Sequence, residues 1–169
     1  MNKITVAICA YNCEKYIEET LTSILNQTFQ DFDLLIINDC SSDDTILLIE
    51  DYLKKNQREY RLINLEVNDG IANARHLALL EAKTKYILFI DSDDLPHTRL
   101  VEKEYKMISS DDDIIAVSSW LRYIDMQGNK LSGGFFLGAK SKEEFMSLAS
   151  KEKLIFLPIQ TLFNREVAL

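Results

Sequence analysis

Hydrophobic positions in the first hundred residues alternate between short apolar runs and helical stripes. Ile4 to Cys9 is an apolar, β-branched run, Phe32 to Ile37 is another, and Arg61 to Val67 reads as a third strand. Between them, Glu14 to Asn26 carries Ile17, Leu21, Ile24 and Leu25 at helical spacing. Asp43 and Asp44 introduce a second helix with Ile46, Leu47, Ile49 and Leu53 on one face, and carboxylates suit its positive N-terminus. Ile71 to Ala82 forms a third helix and Lys85 to Ile90 a fourth strand, an apolar run of the kind buried on both faces. This βαβαβαβ order predicts an α/β fold on a mainly parallel, doubly wound sheet with right-handed crossovers.

After Pro96 the pattern changes. Thr98 to Ser109 has helical spacing, Ile114 to Trp120 reads as a strand, and Tyr123 to Leu131 reads as a hairpin around Gln127-Gly128-Asn129. Gly133, Gly134 and Gly138 predict a flexible stretch. Ser141 with Glu144 three residues later resembles a capping box opening a helix to about Ser150, and Ile155 to Phe163 reads as extended. No repeat or linker interrupts the chain, so the expectation is one α/β body with a mixed second half.

Composition narrows the function. The chain has 169 residues, 47% of them hydrophobic, enough for one domain with a sizeable core. Its net charge of −8 argues against nucleic acid or an anionic membrane as the main partner, since either needs a basic footprint. With no basic cradle, a pyrophosphate ligand would need a divalent cation between itself and protein carboxylates. The apolar runs are strand-sized, so no transmembrane segment is expected, and Met1 to Ala10 reads as strand one rather than as a signal peptide. Cys9, Cys13 and Cys40 are odd in number without CxxC spacing and read as reduced thiols. A cytoplasmic location is therefore expected, with a peripheral place at the inner face of the membrane as a further expectation.

The chemistry concentrates at strand ends. Asp91-Ser92-Asp93-Asp94 follows the fourth strand, and a tight set of carboxylates persists most easily beside a cation; oxygen ligands suit Mg²⁺ or Mn²⁺. The competing reading is a solvated acidic turn with Asp94 capping a helix. Ala10-Tyr11-Asn12 follows strand one and Asn38-Asp39-Cys40-Ser41 follows strand two, so three loops would meet at the edge where open α/β sheets bind ligands. Asp39 could instead be a turn residue before the second helix, Tyr11 a rim aromatic, and Asn12 a cap. After strand three, Gly70 permits a positive-φ turn and Arg75 lies one helical turn beyond, within reach of a diphosphate or of the carboxylates; the alternative is a structural ion pair. His76 and His97 read as polar surface residues. There is no P-loop, no GxGxxG, no GxSxG and no HExxH.

Together, Val6-Ala-Ile-Cys-Ala-Tyr-Asn12, Ile24-Leu-Asn-Gln-Thr28, Leu35-Ile-Ile-Asn-Asp39, Ser41-Ser-Asp-Asp-Thr45, Asn68-x-Gly70 with Ala74-Arg75, and Ile90-Asp-Ser-Asp-Asp94 resemble glycosyltransferase family 2. The resemblance covers Ile4 to about Leu100 and implies the GT-A fold, a Rossmann-type sheet, with residues 1–100 as the nucleotide-sugar half and 101–169 as the start of the acceptor-side half. It implies that Ala10, Tyr11 and Asn12 pack on nucleobase and ribose, and that Asp39 hydrogen-bonds the base, commonly uracil. Asn68, Gly70 and Arg75 fall near the diphosphate. Asp91 matches the first position of the DxD pair, near ribose, and Asp93 the second, on Mn²⁺ or Mg²⁺, with Asp91 and Asp94 as further possible metal ligands. Ala10 stands where proline is common, and Cys40 where glycine or a small residue is frequent.

The implied reaction is inverting transfer of a sugar from a nucleoside diphosphate, a UDP-sugar foremost, to a hydroxyl of a glycan or lipid-linked acceptor in cell-surface polysaccharide or glycan synthesis. The family's general base is expected beyond Leu169, which would leave this chain able to bind donor but poor at transfer. The rival readings are a sugar-nucleotide nucleotidyltransferase, whose Gly-rich basic loop after strand one is missing, and a non-catalytic nucleotide-binding module. A phospho-receiver would need an acidic pair after strand one, and there is none.

Overall fold

A computed structural model describes residues 2–119, 121–125, 127–135, 141–151 and 160–169. Four strands, β1 (Ile4–Ala10), β2 (Phe32–Asn38), β3 (Arg61–Asn64) and β4 (Tyr86–Asp91), alternate with α1 (Ile17–Leu25), α2 (Thr45–Lys55) and α3 (Ile71–Glu81). Then come α4 (Leu100–Ile108), β5 (Ala116–Ser118), the hairpin of β6 (Leu121–Ile124) and β7 (Lys130–Phe135), α5 (Lys142–Ala149), β8 (Thr161–Asn164) and α6 (Arg165–Ala168). The main sheet runs β3-β2-β1-β4-β8-β5, and β6-β7 form a separate pair. β1 to β4 are parallel, whereas β8 is antiparallel to both β4 and β5, which makes the second half mixed as expected.

All seven β1 positions are buried, because helices cover both faces of the sheet. Period-two alternation sends Ile4, Val6, Ile8 and Ala10 into one apolar cluster with Ile17, Leu21 and Ile24 of α1, Ile49 and Leu53 of α2, and Val101 and Ile108 of α4. Ala7, Cys9, Leu35, Ile37, Ile87 and Phe89 join the opposite cluster with Ala74, Ala78 and Ala82. Small alanines on α3 let that helix sit close to the strands. The chain steps from β1 outward to β3, then crosses to the other side of β1 at β4, and α3 correspondingly lies on the other face from α1 and α2. Strand order therefore reverses between β1 and β4, and the crevice beyond their carboxyl ends is the ligand position of such folds.

Three boundaries differ from expectation for physical reasons. β3 ends at Asn64 rather than Val67: Leu65 N–H closes the ladder on Asn38 O at 2.9 Å, and the following residues turn in beneath the β2 loop. β4 extends to Asp91, whose backbone pairs in register with Cys9, so its carboxylate is set by the sheet itself. Asp94 caps no helix, since α4 begins six residues later at Leu100 with Arg99 as N-cap. Gly133 and Gly134 lie within β7 rather than in an irregular stretch. The expected hairpin turn is present, closed by Asp125, whose carboxylate accepts from Gln127 N and Asn129 N, with Gly128 at φ 77°. Ser141 Oγ accepts from Glu144 N at 3.2 Å, the expected helix start. Trp120, Met126, Gly138 and the expected extended residues up to Ile159 lie outside the described residues.

Candidate active site at the carboxyl edge

The loops after β1 and β2 are tied together. Asn12 adopts φ 46°, and its side-chain oxygen accepts from Ser42 N at 2.8 Å, while Asn12 N donates to Ser41 Oγ at 3.1 Å. Glu14 N donates to Asp43 Oδ2, Asp44 N donates to Glu14 Oε2, and Cys13 N donates to Thr45 Oγ1 at 2.8 Å. The oxygen of Asn12 thus serves as a loop tie, and Tyr11, 50% exposed, is the ring the loop presents outward. Ala10 is buried and contributes its carbonyl, which accepts from Asp39 N at 2.9 Å. A left-handed non-glycine residue costs about 1–3 kcal/mol, an amount that one or two buried aliphatic side chains offset. Cys40 adopts φ 61° directly after Asp39, which explains why glycine is frequent at that place.

Asp39 is only 4% exposed. Its Oδ1 accepts from Asp69 N at 2.8 Å and its Oδ2 from Gly70 N at 2.9 Å. The carboxylate therefore clamps the turn after β3, and Gly70, at φ 86°, supplies the backbone conformation that lets both amides face it. This is more than a turn residue before α2. Each oxygen keeps a second lone pair available to a ligand. Asn68, at the outer end of that turn, is exposed.

Arg75, on the first turns of α3, bonds Asp91 Oδ1 through Nη2 at 2.6 Å, with both side chains partly buried. Burial pushes the Asp91 carboxyl above its usual range, and the Arg75 guanidinium opposes that shift. The three acidic residues of the turn have separate surroundings. Asp91 is held by Arg75; Ser92 O accepts from Thr20 Oγ1 at 3.0 Å; Asp94 Oδ2 accepts from Gln160 Nε2 at 3.2 Å. Burial also raises Asp94. Asp93 is exposed and, among the described residues, its carboxylate has no hydrogen-bond or ion-pair partner.

Among the described residues no three Asp, Glu, His or Cys side chains converge in a metal-holding group, so Asp91 and Asp94 do not join Asp93 in one carboxylate cage. A single free carboxylate with hard oxygen donors still fits a divalent cation of the Mg²⁺ type, which takes one or two carboxylates and completes its shell with phosphates and water.

Gln160, Thr20 and Glu104 also contribute, and none belongs to a motif of the sequence. Gln160 and Thr20 carry no local signature. Glu104 could have been noticed as a carboxylate on the apolar stripe of α4. It is 2% exposed, with Oε1 accepting from Ser119 Oγ at 2.6 Å and, among the described residues, no hydrogen bond to Oε2. Burial drives its pKa from 4.5 to about 8, against the pull of Ser119 and the Leu162 backbone. Between those two pH values the unfolded chain gives up a proton that the folded chain keeps, so stability falls as pH rises from 4.5 to 8. Glu104→Gln retains an acceptor for Ser119 and cannot ionise. Thermal melts are expected to show equal stability of the two proteins near pH 4.5 and an advantage for the variant, on the order of a few kcal/mol, at pH 8. Parallel melting curves across that range would show that Glu104 is ionised in the fold.

The same physics acts on two thiols: Cys9 is pushed up to about 12 by burial, and burial also raises Cys13. His97 Nδ1 accepts from Arg99 N at 3.2 Å beside the start of α4, and His76 is exposed. Among the described residues no helix is long and apolar enough to cross a membrane.

Known proteins resemble this chain in sequence and in fold. A teichoic acid poly(glycerol phosphate) polymerase of Staphylococcus epidermidis is 44% identical over 94 residues, which is 56% of this chain and 13% of that protein. The structure of Staphylococcus aureus TarS residues 1–349 in complex with UDP-GlcNAc matches with 33% identity and a TM-score of 0.59 over 64% of this chain and 31% of that one. The mannosyltransferase PcManGT of Pyrobaculum calidifontis, in complex with GDP-Man and Mn²⁺, matches at 21% identity with a TM-score of 0.72 over 98% of this chain and 45% of that one, a likeness of fold. This chain spans less than half the length of each. The profile described as glycosyl transferase family 2 matches residues 5–168, so with its GT-A fold the chain belongs to glycosyl transferase family 2.

Proposed function

We propose that the crevice beyond β1 and β4 binds a nucleoside-diphosphate sugar, a UDP-sugar foremost, together with Mn²⁺ or Mg²⁺. The sugar passes with inversion to a hydroxyl of a glycan or lipid-linked acceptor in cell-surface polysaccharide synthesis. Residues 1–100 form the donor half, and the mixed second half lies on the acceptor side. The observation that carries this reading is the isolation of Asp93: its acidic neighbours are tied to Arg75 and Gln160, while Asp93 is exposed and, among the described residues, unpaired. The family membership, TarS bound to UDP-GlcNAc and the teichoic acid polymerase support a UDP-sugar and a cell-wall polymer.

Bound through Asp93, a divalent cation would supply neutralisation of the diphosphate charge that grows as the leaving group departs. The chain's own groups set the frame for that event. Asp39 holds the turn at Asp69 and Gly70, which starts α3 and so fixes Arg75. Arg75 is held against Asp91 at the crevice, placing its guanidinium beside the edge where a diphosphate would lie. Arg75 on Asp91 and Gln160 on Asp94 orient these two carboxylates within the acidic turn.

Isothermal calorimetry with UDP tests the reading. Affinity is expected to be weak in chelator and clearly stronger with Mn²⁺. Equal affinity in both conditions would overturn the cation bridge. Release of the sugar from a UDP-sugar onto an acceptor, rather than formation of a sugar nucleotide from sugar phosphate and nucleoside triphosphate, separates a transferase from a nucleotidyltransferase.

A further inference from the structure

β8 enters the carboxyl edge from the opposite direction to its neighbour, because it runs antiparallel to β4 with Thr161 opposite Phe89. That register places Gln160, the residue before β8, beside the last residues of β4. Gln160 N–H continues the ladder by donating to Phe89 O at 2.7 Å, and its side-chain amide donates to Asp94 Oδ2 at 3.2 Å. The residue is 9% exposed, and its backbone sits at φ 47°. Among the described residues, four non-glycine positions have positive φ. Gln57 follows the C-terminus of α2, an ordinary place for it. The other three, Asn12, Cys40 and Gln160, all stand at the edge where the candidate site lies. Backbone strain of this kind persists where the surroundings over-determine it.

We propose that Gln160 is a positioning residue for the nucleotide–cation site: through Asp94 it anchors the far end of the acidic turn, so that Asp93 alone is presented to the diphosphate-bound cation. The inference rests on the function proposed above. Three anchors surround Asp93. Arg75 holds Asp91, the Thr20 hydroxyl holds Ser92 O, and Gln160 holds Asp94. Of these, Gln160 is the anchor supplied by the second half of the chain, so it couples the donor turn to the strand that closes the sheet. Ser119, the residue after β5, backs it: its N–H approaches Gln160 O at 3.5 Å and its hydroxyl donates to buried Glu104 of α4.

Two variants separate positioning from packing. Gln160→Gly removes the side chain and relieves the positive φ, and Gln160→Asn tolerates that φ but is one methylene too short to hold Asp94 in place. Both are expected to melt no lower than the wild-type chain. With Mn²⁺ present, their UDP dissociation constant is expected to rise about 10–100-fold, the usual loss when a partner of a metal ligand's surroundings is removed. Their UDP affinity in chelator should match wild type. Adding Asp94→Ala to Gln160→Gly should cost nothing further, because the two residues act as one unit. A Mn²⁺-responsive wild-type chain with an unaffected Gln160→Gly variant overturns this inference alone, as does an equal loss with and without Mn²⁺ or the unfolding of both variants. A wild-type chain whose UDP affinity ignores Mn²⁺ overturns the functional reading and this inference with it.

Discussion

Asp93→Asn is expected to abolish the gain in UDP affinity that Mn²⁺ confers, while UDP binding in chelator and the melting temperature stay as in the wild-type chain. The reason lies in the separate surroundings of the acidic turn. Asparagine keeps the size and one oxygen of the side chain but loses the charge that a divalent cation needs. Neither neighbour is as free to substitute: Arg75 engages and orients Asp91 through Oδ1, and Gln160 engages Asp94 through Oδ2. The loss should therefore exceed the roughly 10–100-fold typical of outer partners. Stability should shift by no more than about 0.5 kcal/mol, since Asp93 is exposed and unpartnered among the described residues. Calorimetric titrations of UDP with and without Mn²⁺ check both halves. A variant that keeps most of its Mn²⁺ response would move the cation to another carboxylate.

Asp39→Ala is expected to damage both fold and binding. Removal of the carboxylate leaves two backbone amides, those of Asp69 and Gly70, facing a buried gap, at about 1–3 kcal/mol each. Urea unfolding should register most of that sum. UDP affinity should also fall by roughly 1–3 kcal/mol, the cost of a charge-assisted hydrogen bond, and discrimination among nucleotides should flatten if the remaining lone pairs read the base edge. Competition between uridine and cytidine diphosphates separates the roles. If the variant remains folded with its nucleotide preference intact, Asp39 is a loop clamp alone.

Reading the sequence reached the elements of the first hundred residues and the strand-end location of the site because both depend on local regularities. Buried strands need unbroken apolar runs, as in Tyr86 to Ile90, and helices packed on one face need a periodic stripe, as in Ile17, Leu21 and Ile24. The order of these elements implies a parallel sheet, and loops that end parallel strands share one edge. Gly70 was legible for the same reason, since a positive φ at a turn selects glycine locally.

What remained illegible depends on residues distant in the chain. The order of β8 and β5 in the sheet, and the antiparallel sense of β8, come from pairing Leu162 with Leu88 and Val117 across long separations, and no periodicity encodes a partner. Asn12 suited a cap or a nucleotide contact equally well until the fold brought Ser42 to its oxygen. Asp39 had no visible partner until the β3 turn folded beneath it. Local patterning sufficed for the α/β class, for the strand ends that carry the chemistry and for an acidic turn suited to a cation. Which carboxylate stays free depends on contacts between distant residues: Arg75 reaches Asp91 across 16 positions and Gln160 reaches Asp94 across 66, and hydrogen bonds of that span exist only once the sheet has closed.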